Sequence, residues 1–331
     1  MPSLERKARL RGVRVKMGKR LKGRNAVVTG AGRGIGKAVA LALAEEGANV
    51  VVCDLGVATD GVGADKSPAD EVVEECHKLG VKAVANYGDV SSFKATEGMV
   101  KACVDNFGRI DILCNIAGID KPRMIWNMSE EEWDMVIAVH LKGTFNLTRH
   151  AAPLMREQRY GRIINCVSEA FIGGPSHLNY AAAKGGIATL TYGTARELGR
   201  YGVTCNAFVP RAWTRMTADE KVIEGIKKRI AAGLMPKDQL DKMMRELADA
   251  SYFAPFIAYL ASDAAANVNG QIFLTSGTEV GVWSQPQVIR KVPRDWKTEG
   301  RWTFEEIEKL MPKKLLIDYV NPAPPQPEEK K

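Results

Sequence analysis

The chain is poor in the groups that hold metals. It has four histidines, His77, His140, His150 and His177, and none has the spacing of a ligand pair, so no metal site is expected. Its six cysteines, Cys53, Cys76, Cys103, Cys114, Cys166 and Cys205, form no C-x-x-C pair. Several lie in or beside strand-like apolar runs. That suits small core residues in a reducing compartment, and the expected location is cytoplasmic. No stretch reaches the roughly 20 uninterrupted apolar residues that a bilayer span needs. Internal repeats are absent. Acids are scarce at one end, where residues 1–24 hold ten Lys or Arg and a single acid, Glu5. That arm carries +9 in a chain whose total is +8, which leaves −1 for the remainder. The bulk of the chain is therefore not built to bind nucleic acid. The arm has several open readings. It could lie on its own protein or an oligomer partner, touch nucleic acid or an anionic membrane, or reach the phosphates of a coenzyme-A-type substrate. It could also target an organelle, although it is short of serine.

What the chain does have is glycine in a telling place. Thr29-Gly30-Ala31-Gly32-Arg33-Gly34-Ile35-Gly36 follows the apolar run Ala26-Val27-Val28 and opens a helical pattern from Lys37 to Glu46. A strand, a glycine turn and a helix in that order cradle a pyrophosphate. Gly30 permits the tight turn, Gly34 the close backbone approach, and Gly36 the packing of helix on strand. The next apolar run, Asn49 to Cys53, ends at Asp54. A carboxylate there accepts hydrogen bonds from ribose hydroxyls and repels a 2′-phosphate, which favours NAD over NADP. Arg33 in the turn acts in the other direction. Further strand ends place Asp89 and Val90 to bracket an adenine, and Asn115, Ala117 and Gly118 to wall the ribose.

Chemistry enters with Tyr180-Ala181-Ala182-Ala183-Lys184. It sets a phenol and an ammonium on one helix face. A neighbouring cation lowers a phenol pKa, and such a tyrosine can exchange a proton with a carbinol or carbonyl oxygen. The strand Arg162 to Val167 ends at Ser168, whose hydroxyl could hold the same oxygen.

With these residues in place, the chain resembles a classical short-chain dehydrogenase/reductase from about Leu21 to Trp283. A narrower likeness is to the dehydrogenase units of multifunctional β-oxidation enzymes and their bacterial relatives. It rests on Asp54-Leu55-Gly56, the insert through Gly61-Val62-Gly63, Lys82 to Tyr87, Val139 to Gly143, and Gly300-Arg301-Trp302-Thr303. The resemblance implies that Tyr180 is the general acid/base. It also implies that Lys184 lowers the tyrosine pKa and holds the nicotinamide ribose, and that Ser168 orients the substrate oxygen. Gly30, Arg33, Gly34, Ile35, Gly36, Asp54, Asp89, Val90, Asn115, Ala117, Gly118, Pro210 and Thr214 would contact the cofactor. Three departures stand out. His140 replaces the family's usual asparagine, and is read either as a proton relay or as a packed histidine. The serine lies one residue closer to Tyr180 than usual, so counting from the tyrosine selects Val167 and counting along the strand selects Ser168. The glycine expected after Pro210 is Arg211, which would narrow the site or attract an anionic substrate.

Strands and helices alternate, so the expected fold is α/β, with a single doubly wound Rossmann-type parallel sheet, a basic N-terminal arm and a C-terminal extension. Strands are predicted near 25–29, 49–53, 82–87, 111–114, 161–167, 203–208 and 271–275, and helices over 34–46, 69–79, 92–107, 129–157 and 178–200. The expected domains are an arm at 1–22, a dehydrogenase domain at 23–283 with a mostly helical lid at about 212–262, and an extension at 284–331. Thr303 to Glu306 reads as a helix start and the Pro-rich tail as disordered. The insert at 55–68 exceeds an ordinary βα turn. The expected activity is NAD-dependent interconversion of a secondary alcohol and a ketone. The resemblance implies a 3-hydroxyacyl thioester as the first choice of substrate, with a steroid or other cyclic alcohol second. The alternative is a nucleotide-binding partner subunit with little activity of its own. The resemblance also implies a homodimer or homotetramer, since counterparts of the helices over 92–107 and 129–157 pair across a two-fold axis in that family.

Overall fold

Five consecutive buried residues, Asn25–Thr29, form β1, the strand around which the rest is arranged. In the computed structural model, residues 19–58, 60–63, 65–213, 220–231, 236–238, 240–241 and 247–322 are described. The chain continues through α1 (Gly34–Glu45), β2 (Asn49–Cys53), α2 (Ser67–Lys78), β3 (Ala83–Asn86), α3 (Phe93–Phe107) and β4 (Ile112–Asn115). Next come α4 (Glu130–Ile137), α5 (Gly143–Gln158), β5 (Gly161–Cys166), α6 (Leu178–Leu198) and β6 (Val203–Trp213). It closes with α7 (Glu220–Ala231), β7 (Ala248–Asp249), α8 (Ala254–Ala261), β8 (Ile272–Ser276), β9 (Val280–Val282) and α9 (Phe304–Leu310).

The sheet runs β3-β2-β1-β4-β5-β6-β8-β9, with β7 against β6. All pairings are parallel except β8 with β9. Side chains of a strand alternate between faces, and both faces here are covered. Val28, Val50, Val52, Ile112 and Cys114 face one core, which α1 and α8 complete. Val27, Val51, Leu113, Ile163 and Cys205 face the other, with side chains from α3, α5 and α6. Burial on two sides is why these strands read as unbroken apolar runs. All six cysteines are free and buried. No helix of the described residues is long and apolar enough to cross a membrane.

Polar groups fix the lower end of the sheet. Buried Asp111 accepts from Asn25 N at 3.1 Å and Arg109 Nε at 2.8 Å. Asn25 Nδ2 donates to the carbonyls of Phe107 and Arg109. Arg24 joins Asp263 at 3.0 Å, tying β1 to the turn after α8.

Several elements depart from the sequence expectation. The predicted helix over 129–157 is three pieces. A capping box of Ser129 and Glu132 starts α4, a π turn over Ala138–Lys142 follows, and α5 then begins. Gly143, where α5 begins, lies so close to Val90 that a Cβ there would sit 3.0 Å from its side chain. β6 runs past 208 to 213 because β8 and β7 pair with its far end. β7 and β9 were not expected. Between 217 and 262 the described helices are α7 and α8, and much of the expected lid lies outside the described residues, as does the arm before residue 19. The chain divides into two compact units between Trp283 and Ser284. In the second, α9 starts at a capping box of Thr303 and Glu306, and Arg294 pairs with Glu306 at 3.0 Å.

The π turn carries His140 inward, where it is 2% exposed. Its Nε2 lies 2.7 Å from Ile119 O, and the ring packs so tightly on Gly118 that a Cβ there would collide with it. Burial, with the Lys184 charge second, pushes its pKa down to about 3, and the Ile119 backbone opposes this only partly. A histidine protonates near pH 6.5 in the unfolded chain, so between that pH and about 3 the unfolded state binds a proton that the folded state does not. Stability attributable to His140 is full above this window and is lost as pH falls through it. Urea titrations at about pH 7.5 and 5 should show wild type losing more stability than His140→Asn, and identical losses would contradict the assignment.

Candidate active site

Because β1 lies between β2 and β4, the connections leave in opposite directions and open a crevice at the carboxyl ends of the strands. A cavity of about 860 Å³ occupies it.

One side is the glycine turn. Gly30 has φ +64°, and a Cβ on it would lie 2.9 Å from Ala117 Cα. A Cβ on Gly36 would collide with the Gly30 carbonyl, so helix α1 can approach β1 only with glycine there. Thr29 Oγ1 accepts from Ile116 N at 3.0 Å and Ala117 N at 3.2 Å and donates to Cys114 O at 3.4 Å. This single hydroxyl joins the turn after β1 to the turn after β4. Arg33, Gly34 and Ile35 line the same side, as does Asp54 at the end of β2. Asp54 Oδ2 accepts from Gly32 N and Oδ1 from Gly56 N, each at 2.7 Å, which fixes the carboxylate toward the turn. Asp89 and Val90 line the next strand end. Ser91 N and Oγ donate to the two Asp89 oxygens at 2.8 and 2.7 Å, and Asn146 Nδ2 holds Val90 O at 3.0 Å.

At the other end stand Ser168, Tyr180, Lys184 and His140, with Pro210 beside them. Ser168 follows β5 and caps a short turn, its hydroxyl accepting from Ala170 N at 3.3 Å. Val167, the alternative, is fully buried and belongs to the core under the cavity. Tyr180 and Lys184 lie one turn apart on α6. Lys184 Nζ donates to Cys166 O at 2.7 Å and sits 5.4 Å from the Tyr180 ring centre. Burial pushes the Tyr180 phenol above its ordinary range, with Cys166 adding to this and the Ser168 hydroxyl acting against it. Burial likewise pulls Lys184 down. The edge of the His140 ring meets the Tyr180 ring at 5.1 Å between centres.

Some expected residues lie elsewhere. Asn115 is not on the large cavity; it is buried behind its wall, donating to Asn165 Oδ1 at 2.9 Å. Thr214 lies outside the described residues. Arg211 neither narrows the site nor offers a positive charge. Pro210 and Ala212 line the cavity, whereas Arg211, between them on the strand, does not. Its guanidinium pairs with Glu169 at 2.5 Å and Glu279 at 3.0 Å.

Other residues were missed. Asn179 is fully buried, donates to the carbonyls of Lys121 and Glu132, and accepts from Tyr180 N at 2.8 Å. It ties the start of α6 to α4 and to the loop after β4. Its only sequence signal is adjacency to Tyr180. His177 and Asp120 also line the cavity, 3.4 Å apart, with His177 6.3 Å from the Tyr180 ring. They come from separate loops, which no spacing relates.

Comparison with known proteins agrees with this geometry. Residues 24–222 match the family model described as short chain dehydrogenase. The hydroxyacyl-CoA dehydrogenase ChsB1 of Mycobacterium tuberculosis is 43% identical over 284 residues, spanning 83% of this chain and 84% of that protein. The mouse peroxisomal multifunctional enzyme type 2 is 36% identical over 308 residues, or 93% of this chain but 38% of that longer protein. Among solved structures, a short chain dehydrogenase from Mycobacterium avium superposes with a TM-score of 0.72 at 37% identity, covering 88% of this chain and 94% of that one. The doubly wound sheet, its crevice and the similarity across most of the chain lead to one placement: this chain belongs to the short-chain dehydrogenase family of oxidoreductases.

Proposed function

We propose that the chain is an NAD-dependent dehydrogenase that interconverts a secondary alcohol and a ketone, with a 3-hydroxyacyl thioester as substrate. The observation that carries this is that one cavity has a carboxylate, Asp54, near its glycine-turn end and Ser168, Tyr180 and Lys184 near its other end. The substrate class is supported by the relatives whose names specify hydroxyacyl-CoA or multifunctional peroxisomal enzymes.

The residues present fit a dinucleotide. Without a Cβ at Gly30 and Gly36 the turn packs against Ala117 and α1 against β1, which brings the N-terminus of α1 to the cavity where a pyrophosphate would sit. Arg33, Gly34 and Ile35 would flank it, Asp54 would take the adenosine ribose, and Asp89 and Val90 the adenine. Ala117, Gly118, Lys184 and Pro210 would hold the nicotinamide half. When bound, the nicotinamide supplies a hydride acceptor beside the carbinol carbon. Ser168 orients the substrate oxygen. Tyr180 takes the hydroxyl proton during oxidation and returns it during reduction. Lys184, fixed on Cys166 O and 5.4 Å from the Tyr180 ring centre, would favour the phenolate by its charge, against the burial that raises the phenol. His140 stays neutral and supports the Gly118–Ile119 backbone. Asn179 holds the start of α6 and so the height of Tyr180.

Phe93 on α3 and Phe145 on α5 are about half exposed, and the two helices pack together. We assign this surface to self-association as a homodimer or homotetramer.

Tyr180→Phe should lower kcat about 100-fold or more while NAD binding, followed by fluorescence, persists. Lys184→Ala should move the rise of alcohol oxidation to higher pH, since the phenol then ionises later; an unmoved profile would remove Lys184 from this role. Wild type should bind NAD at least about tenfold more tightly than NADP, and Asp54→Ala should narrow that gap. Light scattering should give a dimer or tetramer. Truncation after Trp283 should weaken assembly or substrate affinity and spare NAD binding, and a fully active, unchanged oligomer would make residues 284–331 dispensable.

A further inference from the structure

The segment between β2 and α2 is longer than its connection requires, and its described ends close on each other beside the glycine turn. Gly56 has φ +73°, and a Cβ there would run into the Asp65 carbonyl. The same Gly56 donates its N–H to Asp54 Oδ1. Asp65 is therefore held next to the carboxylate assigned to the ribose. Its Oδ1 accepts from Ser67 N at 3.0 Å and Ser67 Oγ at 2.7 Å. Its other oxygen, Oδ2, accepts from Arg33 Nη2 at 3.3 Å. The Ser67 hydrogen bonds, helped by the Arg33 charge, keep the Asp65 carboxyl below its ordinary range and hence ionised. Arg33 is the one cation in the glycine turn and lines the cavity with Asp54. Lys66, beside Asp65 in the chain, sits over the Tyr87 ring at 4.9 Å, and Lys37 pairs with Glu75 at 2.7 Å.

We propose that Asp65 is a specificity-determining residue that holds Arg33 away from the adenosine ribose, so that a coenzyme with a free 2′-hydroxyl is accepted and one with a 2′-phosphate is refused. The proposal deepens the NAD assignment and rests on it. A guanidinium is the group best shaped to take a phosphate, because its fork of donors matches two oxygens. Here that fork already has an anion. Arg33 with Asp54 alone would present no net charge to the ribose, whereas Asp65 makes the group net negative. A 2′-phosphate must displace Asp65 and then face two carboxylates. Both side chains of the pair are partly exposed, so the latch sets a preference and not an absolute barrier.

The test is fluorescence titration of NADH and NADPH into the full-length chain, which reads binding without turnover. In Asp65→Asn the NADPH affinity should gain about tenfold relative to NADH. Asp65→Glu should keep the wild-type ratio, and adding Arg33→Ala to Asp65→Asn should erase the gain. That dependence on Arg33 is what a merely structural role for Asp65 would not produce. Asp65→Thr carries the same test if Asn disturbs the Ser67 contacts and NADH binding is lost. An unchanged ratio in the Asp65 variants, with wild type preferring NADH, overturns the latch alone. A gain that survives removal of Arg33 also overturns it, since Asp65 would then act by direct repulsion. Wild type that prefers NADPH overturns the NAD assignment and the latch with it.

Discussion

Everything at the cavity depends on how closely the backbone after β1 approaches the backbone after β4. These two strands are neighbours in the sheet, yet the chain leaves them toward opposite flanks. The gap is held by one hydroxyl, Thr29 Oγ1, which takes two N–H groups from the β4 turn. Gly30 makes the approach sterically possible. A side chain there would press on Ala117, and one on Gly36 would push α1 off the sheet. The crevice is thus a consequence of backbone contacts that only residues without a Cβ allow.

A second constraint is the buried ammonium of Lys184. A charge removed from water is costly unless it is hydrogen-bonded, and Cys166 O provides one bond at 2.7 Å. That carbonyl belongs to the last residue of β5, two positions before Ser168. The strand end therefore sets the lysine and the serine together, and α6 sets the tyrosine relative to the lysine. Two elements with separate folding requirements, the end of β5 and α6, meet at this end of the cavity, and Asn179 ties the start of α6 to α4 and to the loop after β4.

Much of this was legible because it follows from local rules. Strands buried on both faces must read as runs such as Val50-Val51-Val52, and a glycine turn between strand and helix has few other uses. What escaped detection depends on tertiary contact. The π turn at 138–142 interrupts a helix that the residue pattern alone would continue. β9 is three residues, Val-Gly-Val, too short to show a strand period, and with Val280 and Val282 exposed it is held by pairing with β8. Asn115 was misplaced because a strand end has two sides and only one meets the cavity. Arg211 was misread for the same reason, and Glu169 and Glu279, with which it pairs, lie 42 and 68 residues away in sequence. The Arg33–Asp65 pair spans 32 residues and needs the insert to close before it can form.

The contact between Gly118 and His140 makes substitution at these two positions directional. The imidazole fills the space that a methyl group on residue 118 would need. Replacing the histidine first by something smaller vacates that space, after which residue 118 is free to acquire a side chain. Once it has done so, histidine cannot return until the glycine is restored. The two positions therefore change in a fixed order: a side chain at 118 is reached in two steps with the histidine lost first, and the return takes the same two steps in reverse, with the glycine restored first.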